Sequence, residues 1–78
     1  MNKQAAVFLM TRSEQETQNE ANRLAIQVEA ALAAVAMRSD DETNSLDSAA
    51  DRIERAARDL ATALRGLAQE RKDARDQS

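Results

Sequence analysis

From Ala21 the apolar positions fall at Ala21, Leu24, Val28, Ala31 and Val35, in alternating steps of three and four. Such steps keep side chains on one side of a 3.6-residue helix and describe a helix–helix seam close to a coiled coil. Carried backwards, the same phase passes through Thr17 and Glu14 to Met10 and Val7. The pattern resumes at Leu46, Ala50, Ile53, Ala57, Leu60, Leu64 and Leu67. Between the two runs lies Ser39-Asp40-Asp41-Glu42-Thr43-Asn44-Ser45, the one segment rich in turn-forming residues. The predicted elements are a helix over about 13–38, a turn over about 39–44 and a helix over about 45–76. Residues 1–12 precede them as an apolar docking segment or a helix extension. Two long helices joined by a short loop make an antiparallel αα-hairpin.

The predicted boundaries carry their own chemistry. Thr11-x-x-Glu14 and Ser13-x-x-Glu16 both fit a capping box, in which a hydroxyl and a carboxylate satisfy orphan amide donors. Asn44 or Ser45 is the expected cap of the second helix, with Asp47 favoured near its positive pole. Gly66 is followed by Gln69-Glu70-Arg71-Lys72-Asp73-Ala74-Arg75, which still favours helix, so the helix is expected to run through it at a cost of about 1 kcal/mol.

One hairpin does not hide all that is apolar here. Ala30 to Met37 is apolar almost all round, and Ile26 also stands off the seam. Ala49, Ala56 and Ala63 repeat every seven residues beside the second seam, and small residues at that spacing let helix backbones approach closely. A helix apolar on every side needs more than one neighbour. The expected fold class is therefore all-α: an antiparallel, coiled-coil-like two-helix hairpin that completes a four-helix bundle by dimerisation. A turn centred near Asp41 also sets the polar tail from Gln69 onwards opposite Lys3 to Glu14, leaving Val7, Phe8, Leu9 and Met10 without an apolar counterpart in the same chain. Val7, Phe8, Leu9, Met10, Ile26 and Met37 are the partner-binding candidates. The seam candidates are Leu24, Val28, Ala31, Val35, Leu46, Ala50, Ile53, Ala57, Leu60, Leu64 and Leu67.

Composition narrows the chemistry. The 78 residues include no Cys, His, Trp, Tyr or Pro, and one Phe and one Gly. Without Cys or His the usual zinc sites and the commonest general base are missing. No serine or threonine has a base beside it, and one glycine cannot build a phosphate-cradling loop. Asp40-Asp41-Glu42-Thr43-Asn44 resembles the start of a calcium loop, but Ser45 stands where the turn glycine belongs and Asp51 where the bidentate glutamate belongs, so capping accounts for it. No enzyme activity, cofactor or metal is expected. No run approaches the ~18 apolar residues of a membrane span, and the six-residue run from Ala5 to Met10 is short for a signal peptide. A cytoplasmic protein is expected, because a small extracellular chain usually needs disulfides.

Eleven Lys and Arg against fourteen Asp and Glu give a net charge of −3, with the two signs interleaved. Asp51–Arg55 and Glu54–Arg58 have the spacing of helical ion pairs. Arg58, Arg65 and Lys72, spaced by sevens, leave a hairpin-dimer nucleic-acid regulator as an alternative, although an acidic chain poor in aromatics is a weak nucleic-acid ligand. In architecture the hairpin resembles the small co-chaperones and needle subunits of type III secretion, whose turn typically carries a proline where this chain is Asp-rich. It also resembles small phage- and plasmid-encoded proteins that inhibit host or defence machinery by docking to it. The expected function is a non-enzymatic interaction module (adaptor, chaperone or inhibitor) that oligomerises and docks on a protein through apolar helix faces. A phage or plasmid inhibitor and a secretion-type structural subunit are the remaining alternatives. Expected partners are a second copy and a protein, with no membrane or small-molecule substrate.

Overall fold

A computed structural model describes residues 10–37 and 42–76. Two helices, α1 (Arg12–Ala36) and α2 (Glu42–Asp76), pack against each other, and there is no strand among the described residues. At ~1.5 Å per residue they are about 38 Å and about 52 Å long. Val7, Phe8 and Leu9 lie outside the described residues, as does most of the expected turn.

Of the two possible capping boxes, Thr11–Glu14 starts α1. Thr11 is extended (φ −73°, ψ 165°). Its hydroxyl accepts from the Glu14 N–H at 3.1 Å, and its own N–H donates to Glu14 Oε1 at 2.8 Å. At the other end of α1 the chain turns extended at Met37 (φ −78°, ψ 136°), whose N–H donates to the Ala33 carbonyl at 3.1 Å. The second helix starts at Glu42, before Asn44 and Ser45, which are therefore helical residues of its first turn and not its caps. It continues through Gly66, which has no positive φ.

The helices run antiparallel, with Ser13 against Glu70 and Thr17 against Ala63. The line of closest packing in α1 is Ser13, Thr17, Glu20, Leu24, Gln27, Ala31 and Ala34. In α2 it is Ser45, Ala49, Ile53, Ala56, Leu60, Ala63 and Leu67. Leu24, Ala31, Ile53, Leu60 and Leu67 belong both to this line and to the seam read from the sequence. Val28, Val35, Leu46 and Leu64 are exposed large apolar residues, Ala50 is exposed, and Ala57 is half-buried on the flank. The contact is thus rotated off Val28, Val35, Leu46 and Leu64 and runs through Ala34, Ala49, Ala56 and Ala63 between Leu24, Ile53, Leu60 and Leu67. Methyl groups let the backbones approach, and one neighbour covers only part of a wide apolar stripe. Among the described residues the buried apolar ones are Ala34 and Ala56, at 9% and 4% exposure, and no side chain is completely buried.

Candidate interaction surfaces

Apart from Ile26 and Met37, the exposed large apolar residues gather on one side of the hairpin. On α1, Ala21, Val28, Leu32 and Val35 lie about 50–110° ahead of the packing line at ~100° per residue. Leu46, Ala50, Ala57, Leu64 and Ala68 lie similarly ahead on α2. In an antiparallel pair, turning ahead from the contact line leads to the same side of both helices. These residues therefore share one face of the hairpin. A groove on that side joins Met10, Thr17 and Ala21 to Leu67 and Arg71. Between Thr17 and Val35 on α1, and between Leu46 and Ala68 on α2, the central strip of the face carries no charged residue. Leu32 and Val35 are 66% and 65% exposed, and Leu64 is 50% exposed.

The opposite face is polar. Its grooves join Arg23 and Gln27 to Arg52, Arg55 and Asp59, and Glu16 and Glu20 to Asp59 and Thr62. Near the turn it has a less polar section, where Ala30, Ala33 and Met37 meet Asn44, Ser48 and Arg52. The described partner-binding candidates are consequently separated. Met10 stands at the open end on the apolar face, Met37 lies at the turn end on the polar face, and Ile26 points away from α2. The hairpin does not gather these three into one patch.

The open end is held by a polar latch. Arg71 Nη2 donates to Glu14 Oε2 at 2.7 Å, and Ser13 Oγ donates to Glu70 Oε2 at 2.8 Å. Thr17 Oγ1 donates to the Ser13 carbonyl at 2.8 Å and lies 3.4 Å from the Ala63 carbonyl of α2. The Glu14 carboxyl titrates below its ordinary value because it accepts the Thr11 backbone N–H and faces the Arg71 guanidinium. One position on the packing line is unfavourable: Glu20 Oε1 is shielded from solvent without a hydrogen bond, its nearest cation being Arg23 at 3.6 Å. The expected Asp51–Arg55 and Glu54–Arg58 pairs do not form among the described residues, where the ion pairs are Arg71–Glu14 and Arg23–Glu20, apart from any made by Arg75.

Among the described residues no helix is long and apolar enough to cross a membrane, and no group of three His, Cys, Asp or Glu side chains is placed to hold a metal ion. Comparison with protein-family models, with curated proteins and with solved structures gives no match.

Proposed function

We propose that this chain is a small, non-enzymatic protein–protein interaction module of the cytoplasm, acting as an adaptor, chaperone or inhibitor. Its apolar face is closed by a second copy into a four-helix bundle, and Val7, Phe8, Leu9 and Met10 serve as the anchor for a protein partner. The observation that carries the reading is the uncharged apolar strip spanning both helices, set beside a core whose buried residues are alanines. The strip is about 30 Å long and about 20 Å wide, or about 600 Å² before side-chain relief is counted. That approaches the ~800 Å² per partner of a standard stable interface. A single hairpin leaves this surface in water, whereas two copies remove it.

Sedimentation across a range of concentrations tests the dimer, and affinity capture repeated with Phe8→Asp tests the anchor. The expected result is a discrete dimer that Phe8→Asp leaves intact while its captured protein is lost. A monomer at all concentrations, or unchanged capture, overturns the corresponding half of the reading.

A second reading rests on Arg58, Arg65 and Lys72. They follow the outer edge of α2, are exposed, and have no ion pair among the described residues. A nucleic-acid regulator would use this edge. Retention on nucleic acid at low salt, abolished by Arg58→Glu with Arg65→Glu, supports it, and no retention excludes it.

A further inference from the structure

The outer edge of α2 carries positive charge without its counterpart. Arg58, Arg65 and Lys72 each follow by two residues one that is turned to α1, namely Ala56, Ala63 and Glu70. They therefore stand about 160° around the helix from the contact, and all three are exposed and unpaired among the described residues. Arg65 has Ala61, Thr62, Ala68 and Gln69 three and four residues away, so its own helix offers it no carboxylate. The carboxylates between Arg58 and Lys72 are those of Asp59 and Glu70. The first lines the polar groove beside Glu20, and the second accepts from Ser13 of α1. What remains is a positive line about 21 Å long, in a chain whose net charge is −3.

We propose that this edge docks an acidic helix of the protein partner, whose carboxylates, seven residues apart, meet Arg58, Arg65 and Lys72 in turn. The inference rests on the protein-docking reading above. Seven residues of any α-helix span ~10.5 Å and almost two full turns, so a helix alongside α2 presents one carboxylate to each cation. Ala61, Thr62 and Ala68, between the cations, are small and let a second helix lie close. A nucleic acid fits this edge less well. A duplex carries one charge per ~1.7 Å, or about a dozen over the same length, against these three cations. Asp59 and Asp73, beside the neighbouring grooves, repel a polyanion wider than one helix. The edge is on the far side of α2 from α1, so a second copy closing the apolar face leaves it open. Its limit at Lys72 is near the level of Met10, because Ser13 bonds to Glu70. A protein that engages the anchor is thereby brought to the edge.

The probe is an alanine-rich helical peptide with three glutamates seven apart. Its control carries the same three glutamates five apart, which turns each about 140° from the next. Binding to the full chain is read by nuclear magnetic resonance titration at low salt. The first peptide is expected to bind about tenfold more tightly than the second, since exposed ion pairs are weak singly and three act together. Arg65→Glu is expected to abolish that preference and to transfer it to a peptide with lysine in place of its central glutamate. Should that variant not fold, the two peptides on the wild-type chain decide alone. Equal binding of the two, or none, overturns the acidic helix as ligand. An oligonucleotide that binds more tightly than the first peptide at the same salt overturns it as well. Phe8→Asp is expected to leave peptide binding unchanged, so failure of the anchor and failure of the edge are seen separately.

Discussion

Glu14 Oε2 accepts from Arg71 at 2.7 Å across the open end of the hairpin, while Oε1 of the same carboxylate accepts the Thr11 N–H at 2.8 Å. One side chain thus caps α1 and ties it to α2. Both bonds favour the ionised form, so the folded chain holds this proton less tightly than the unfolded chain does. Its contribution to stability is complete above the ordinary carboxylate value and is lost as pH falls through the lower folded value. Thermal melts between about pH 3 and pH 6 are expected to show the wild-type chain more stable than Glu14→Gln at the upper end, with the two converging at the acid end. Parallel curves would show that the charge of Glu14 contributes nothing.

Glu20 occupies a place on the packing line between Thr17 and Leu24 and leaves a shielded oxygen without a hydrogen bond. Glu20→Leu removes that unmet acceptor and adds apolar contact beside α2. It is expected to stabilise the fold by about 1 kcal/mol, read by denaturant titration. A loss of stability would mean that the Arg23 contact at 3.6 Å outweighs the desolvation.

At Gly66 a Cβ would meet nothing within 4 Å, and the backbone is already helical. Gly66→Ala is therefore expected to raise stability by about 1 kcal/mol, through the smaller conformational freedom of the unfolded chain. Its melting curve and helical circular dichroism check this directly.

Ala56 is 4% exposed and faces α1, whereas Leu64 is half-exposed on the apolar face. The two separate hairpin from assembly. Ala56→Leu forces the helices apart and is expected to cost about 1–3 kcal/mol. Leu64→Asp disturbs the hairpin little but places a charge where the second copy is proposed to sit. Sedimentation is expected to find the Leu64→Asp chain monomeric at concentrations where the wild type is dimeric.

The steps of three and four announced two helices, because apolar spacing is a property of the helix itself, and the short turn-forming segment between them announced the antiparallel pairing. Which part of the apolar stripe meets the neighbouring helix was harder to read. Val28, Val35, Leu46 and Leu64 are large apolar residues at the right spacing and drew the expected seam toward themselves, whereas the contact passes beside them, through Leu24, Ile53, Leu60 and Leu67 with Ala34, Ala49, Ala56 and Ala63. The recurrence of Ala49, Ala56 and Ala63 every seven residues was the available signal for close approach. The latch was legible only in part: the Thr11–Glu14 box follows from spacing, but the pairing of Glu14 with Arg71 depends on how far one helix slides along the other.

That sliding is itself governed by the choice of alanine. Its methyl groups fix how near two rods stand but offer shallow relief, leaving Leu24, Ile53, Leu60 and Leu67 as the apolar side chains that resist an axial shift. Lengthwise alignment is sharpened by Ser13, Glu14 and Thr17 with their partners at the end remote from the turn. Spacing is written in hydrocarbon along the middle, and position is written in oxygen and nitrogen at one extremity.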